Sequence, residues 1–137
     1  MITLDLAKKA LAAAEKKAEE LKIQVSTVIV DEHGVPIAMS RMEDAFVISP
    51  DFALAKAFTA ATLKMPSGAL SGYAVEGKPY YGINTLFGGK ITTIAGGVPV
   101  MEKEVKVVIG AVGVGGSPDP SQDELCAKEA VKVLEAN

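Results

Sequence analysis

Tryptophan is absent from this 137-residue chain, aromatic side chains make up only 5% of it, and cysteine and histidine occur once each. Proteins that stack single-stranded bases spend more aromatics than this. With one cysteine, Cys126, no internal disulfide can form, and a reducing compartment is the default. The single histidine, His33, cannot build the usual multi-histidine zinc or iron site, and no Cys-x-x-Cys accompanies it. Positive charge is also scarce. The formal net charge is −3, and Arg41 is the sole arginine among 14 basic residues. Nucleic acid is not expected as a partner, because phosphate neutralisation needs clustered cations. No run of about 18 apolar residues exists, so no membrane span is expected. The N-terminus lacks a charged segment followed by an apolar one and does not resemble a signal peptide. A cytoplasmic protein is expected.

What remains is ample for one core in one domain, residues 1–137: 49% of the chain is hydrophobic, and a chain this long buries roughly two-thirds of its unfolded surface. Leu4, Ala7, Leu11, Ala14, Ala18 and Leu21 recur at helical spacing and predict a helix over 4–22 with Thr3 as N-cap. Residues 25–31 and 35–42 read as strands of a hairpin, turning at Asp31-Glu32-His33-Gly34. Ser49-Pro50-Asp51 signals a second helix to about Lys64, with Ser49 as N-cap. Its alanines at 53, 55, 57, 60 and 61 make it slim, so sheet or flat ligand can approach closely. A short helix is expected near 67–73. The glycine- and proline-broken stretch 66–90 holds Lys78-Pro79-Tyr80-Tyr81-Gly82, read as a functional loop or lid. Strands are expected at 91–95, 97–101 and 105–114, the last central because it is apolar on both faces past Lys106. A final helix over 121–135 buries Leu125, either Ala127 or Lys128, Val131 and Leu134, with Ser121 and Glu124 as a capping box. This order predicts an α+β fold, an antiparallel sheet flanked by helices, because β and α do not alternate as in a doubly wound sheet.

The glycine run Gly110-x-x-Gly113-x-Gly115-Gly116 lacks the order of a dinucleotide fingerprint, and no strand with a ribose-binding acid can follow it. Its glycines instead let a helix or ligand approach the strand. His33 either caps an exposed turn, the favoured reading, or is an axial ligand to iron. Arg41 either pairs with Glu43 or Asp44 or clamps an anion two-pronged. Lys56, among Ala53, Ala57 and Ala60, either holds a carboxylate at a pocket mouth or snorkels to solvent. Cys126 fills core. No serine or cysteine has a base beside it.

Five motifs occur in order: Val28-x-Val30-Asp31-x-x-Gly34, Ser40-Arg41-Met42, Ala53-x-x-Lys56-Ala57-x-Thr59-Ala60, Gly96-Gly97-Val98-Pro99-Val100 and Ile109-Gly110-Ala111-Val112-Gly113-Val114. On these motifs the chain resembles the GlcG/HbpS family, which includes the C-terminal domain of PduO-type cobalamin adenosyltransferases. The resemblance covers nearly the whole chain. It implies a profilin-like antiparallel sheet and a homo-oligomer, and for some members haem or iron binding. Arg41, Lys56, Thr59, Gly96, Gly97 and Pro99 fall on the motifs and are the candidate pocket residues, with His33 as candidate metal ligand. Two positions depart from the family pattern: Gly115-Gly116 stands where Ser-Gly is usual, and Glu102-Lys103-Glu104 where a glycine turn is usual. The function expected is small-molecule or cofactor binding, with haem or iron as ligand, in an accessory role in metabolism or stress response. The competing expectation is an enzyme on a small carboxylated metabolite, held by Arg41 and Lys56. A ligand-free structural oligomer is the third.

Overall fold

The computed structural model describes residues 1–136. Helix α1 (Leu4–Leu21) leads into strands β1 (Ser26–Asp31) and β2 (Pro36–Arg41), then helix α2 (Ser49–Leu63). Two short 3-10 helices follow, Ser67–Gly72 and Ile83–Gly89, the second interrupted by non-helical backbone at Leu86, Phe87 and Gly88. Strands β3 (Gly97–Glu102) and β4 (Val107–Gly115) and helix α3 (Pro120–Glu135) complete the chain. The strands form a fully antiparallel sheet in the order β2-β1-β4-β3. The expected α+β architecture is therefore observed, with β4 central beside β1. Pro36 and Pro99 both lie on edge strands, where a missing N–H is tolerated.

Strand alternation divides the interior into two layers. Val28, Val30 and Ala111 face α2, while Ile29, Val112 and Val114 face α1 and α3 on the other side. The second layer is the larger core. Ala7, Ala10, Ala14 and Ala18 of α1 pack with Ala127 and Ala130 of α3, so two slim helices meet closely over the sheet. Burying each Val or Leu there contributes about 1.5–3 kcal/mol. On the first face the approach is closer still. A Cβ at Gly113 would run into the Ala53 carbonyl and lie 2.5 Å from the Ala57 nitrogen. Glycine in β4 and alanine in α2 are thus two halves of one contact. The glycine run serves the helix here.

Several local expectations differ from the structure. Thr3 does cap α1, its hydroxyl accepting from the Leu6 N–H at 3.1 Å. Leu4, however, is 51% exposed and lies off the buried stripe. Ser49 is not the N-cap of α2: Ile48 holds that position, and the Ser49 hydroxyl sits 2.8 Å from that of Ser26 in β1. The cap of α3 is Asp119, which accepts from Ser121 N–H at 3.0 Å, so Ser121 and Glu124 form no capping box. Leu125 is 43% exposed, because Cys126 and Ala127 turn inward in its place. Residues 91–95 form no strand. Side chains hold this segment instead: Thr59 accepts from Thr92 N–H at 2.9 Å, and Ser67 donates to the Ile94 carbonyl at 2.7 Å.

Candidate functional site

Helix α2 carries chemistry on two sides. Lys56 lies on its inner side, 2% exposed. Its Nζ donates to the Val114 carbonyl at 2.9 Å and to Asp123 Oδ2 at 3.0 Å. Asp123, in the first turn of α3, is 1% exposed, and its Oδ1 accepts from the Ser117 N–H at 3.0 Å. Burial pushes the Lys56 ammonium below its ordinary range, and attraction to Asp123 opposes it. Burial likewise pushes the Asp123 carboxyl up, opposed by Lys56 and the Ser117 hydrogen bond. Burial favours the neutral form of each group, and the attraction between them opposes it.

Gly96 and Gly97 make room for this pair. A Cβ at Gly96, whose φ is +133°, would lie 2.9 Å from Lys56 Nζ, and one at Gly97 would strike the Lys56 carbonyl. Ser67 Oγ accepts from Gly97 N–H at 2.9 Å and fixes the approach. The structure thus brings Lys56, Gly96 and Gly97 together. Lys56 and Asp123 form the floor of a cleft of about 200 Å³ walled by Phe46, Phe52, Ile94 and Pro118.

The outward side of α2 lines a larger cleft of about 390 Å³, which has His33 on its rim. The hairpin turn is built for this placement. The Asp31 carboxylate accepts from His33 N–H at 2.8 Å and Val35 N–H at 3.0 Å. Gly34, at φ +79°, lets the turn sit against the Phe58 ring, which a Cβ would approach to 2.5 Å. The His33 side chain is 75% exposed, with Nε2 3.3 Å from Glu32 Oε1. Leu54, Ala55 and Phe58 make the apolar floor, and Lys90 Nζ lies 5.6 Å from the Phe58 ring centre. A second cleft of about 280 Å³ shares Asp51, Ala55 and Gly89 with it, so a groove runs along α2. Volumes of this order suit small-molecule sites, which span about 300–1,000 Å³.

The other candidates lie apart from both clefts. Arg41 donates from Nε and Nη2 to the Ala45 carbonyl at 3.3 and 3.2 Å. Among the described residues it forms no ion pair, so the expected bridge to Glu43 or Asp44 is absent. Thr59 Oγ1 donates to the Ala55 carbonyl at 2.8 Å while accepting from Thr92, and so ties α2 to the following connection. Pro99 sits on β3 opposite Ala111. Tyr80 and Tyr81 line a separate cleft with Leu86. Cys126 is buried, and its thiol is pushed up to about 12, chiefly by burial.

Asp123 and Lys90 carry no local signal in the sequence. A lysine flanked by alanines on an inward helix face demands a buried acid. That signal was present, but it does not say which acid answers.

The fold defines a small α+β domain, helices on both faces of a four-stranded antiparallel sheet. Residues 2–132 match the family model described as haem degrading protein HbpS-like, and the chain belongs to that family. An uncharacterized 15.0 kDa protein from the dhaT-dhaS intergenic region of Citrobacter freundii is 39% identical over 130 residues, covering 95% of this chain and 89% of its own. The crystal structure of Klebsiella pneumoniae protein ORFY superposes with a TM-score of 0.93 at 37% identity, covering 99% of this chain and 92% of that one. That of a PduOC:haem complex superposes at 0.85 with 31% identity, covering 93% and 91%. Among the described residues, no helix is long and apolar enough to cross a membrane.

Proposed function

We propose that this chain binds haem in the groove on the outward side of α2, as a homo-oligomeric accessory protein of the cytoplasm. The observation that carries the reading is the position of His33, which stands on the rim of the larger cleft, over Leu54, Ala55 and Phe58. The residues fit the group. A single imidazole, His33, would be enough to hold the iron of such a group. His33 is exposed, though its Nε2 would have to leave Glu32 Oε1 at 3.3 Å to meet iron; Phe58 offers an aromatic face, and Lys90 supplies a cation for a propionate at the rim. Lys56, committed to Asp123, does not line this cleft, so the carboxylate-binding role passes to Lys90. Bound haem would supply redox-active iron there, while the chain holds and shields one face of it. The likeness to a PduOC:haem complex supports the reading. The neighbouring exposed pairs Phe46 and Val47, and Tyr80 and Tyr81, offer apolar surface to a second copy of the chain.

Titration of purified protein with haem, followed by the Soret band, tests this. A saturable red-shifted band is expected. His33→Ala should alter its position and weaken binding, and Lys90→Ala should weaken it about two- to fivefold, as a rim ion pair does. A Soret change that never saturates removes haem from the reading. A spectrum indifferent to His33→Ala removes the histidine.

A further inference from the structure

The Lys56–Asp123 pair takes no part in the groove described above; its side chains are almost wholly buried, yet both line a separate cleft. The pair floors an open cleft with apolar walls, Phe46, Phe52, Ile94 and Pro118. An ammonium has three donors. Val114 and Asp123 engage two of them, and the Phe52 ring centre lies 5.8 Å from Nζ. A lysine desolvated in an apolar pocket is an activated amine nucleophile. Here the group that can receive its proton, Asp123 Oδ2, is 3.0 Å away. The apolar walls favour an uncharged ligand, and the carboxylate on the floor repels anions. At about 30 Å³ per water, the cleft admits a molecule of about six heavy atoms.

We propose that this second cleft captures short uncharged aldehydes, with Lys56 forming a reversible imine and Asp123 moving the protons. The Lys56 ammonium passes a proton to Asp123, and the free Nζ attacks the carbonyl carbon to form a C–N bond. Asp123 returns that proton to the former carbonyl oxygen, then takes a second proton from nitrogen. It gives this one to the hydroxyl as the C–O bond breaks and water leaves. A protonated imine remains, paired with the Asp123 carboxylate. One water is released, no electrons are gained or lost overall, and hydrolysis reverses each step. Gly96 lets Nζ take this position, since a Cβ there would lie 2.9 Å from it.

The test is reductive trapping. Wild-type protein is incubated at neutral pH with butanal and sodium cyanoborohydride, whose hydride converts the imine to a stable secondary amine. Peptide mass mapping then gives a labelling rate for every lysine. Lys56 should be labelled at least about tenfold faster than the exposed lysines, a modest demand on a positioned acid–base group. Asp123→Asn should bring Lys56 down to their rate or below. Ile94→Trp, which fills the cleft, should protect Lys56 and leave the other lysines unchanged. Labelling confined to surface lysines in the wild type would overturn the proposal, as would Lys56 labelling indifferent to Ile94→Trp. If Asp123→Asn fails to fold, the wild-type rates and Ile94→Trp still decide. The haem titration reads a different cleft, so either proposal can fail alone.

Discussion

Replacing Lys56 by methionine keeps an unbranched apolar stem against Gly96 but removes the cation. Asp123 is then left almost wholly buried, with the Ser117 N–H as its one hydrogen-bond donor among the described residues. Breaking a buried pair by removing one partner costs about 3–5 kcal/mol. For a chain of this length that lowers Tm by roughly 10–20 °C. The loss depends on pH. Without Lys56, burial acts on the Asp123 carboxyl with less opposition, so its folded pKa rises further above the unfolded value. A group whose folded pKa is raised contributes stability that is full below the unfolded pKa and lost as pH rises through the folded one. The Lys56→Met deficit is therefore largest at neutral pH and shrinks as pH falls toward the ordinary aspartate range. Urea unfolding of wild type and variant, followed by circular dichroism near pH 7 and near pH 4.5, measures it. The double variant Lys56→Met/Asp123→Leu should recover most of the loss, because two apolar side chains need no counter-ion. A deficit below about 1 kcal/mol at neutral pH, or one that does not change with pH, would refute a buried ion pair whose removal costs this much.

Two further outcomes are expected. Gly113→Ala should destabilise by about 1–3 kcal/mol or prevent folding, since the new methyl meets α2 backbone that cannot step aside; a Tm equal to wild type would show that α2 lies farther from the sheet. The Cys126 thiol should resist a thiol reagent at pH 8 in native protein and react at once in urea, because it is buried and held protonated; fast labelling of the folded protein would contradict that burial.

The features legible in the sequence were those written in local periodicity. The α1 stripe, the hairpin at Asp31–Gly34 and the central apolar strand each follow from spacing alone. Thr3 caps α1 as expected, but the caps of α2 and α3 lie one and two residues before the expected serines, because a cap is decided by backbone conformation and by which hydroxyl is free. Ser49 spends its hydroxyl on Ser26, and Asp119 takes the role given to Ser121. The 91–95 segment has the composition of a strand, yet Thr59 and Ser67 hold it as a connector. At the site, Lys56, Gly96 and Gly97 were placed together through motif resemblance. Asp123 could not be: it lies 67 positions from Lys56, and no local pattern encodes a partner at that distance. Lys90 escaped for the same reason, since only the path of the irregular connection brings it to Phe58.

The strand order also has a consequence for how the molecule is made. Hairpins β1–β2 and β3–β4 are local and can form early. The central pairing is not: Asp31 of β1 meets Gly110 of β4, a loop of about 80 residues whose closure costs roughly 4 kcal/mol of chain entropy. Until that seam closes, each hairpin has an unsatisfied edge and no completed layer of helices. During synthesis the N-terminal hairpin must therefore wait for almost the whole chain to emerge. Pairing over such a sequence distance is the kind that slows folding, and before it forms the edge of β1 is open to wrong partners.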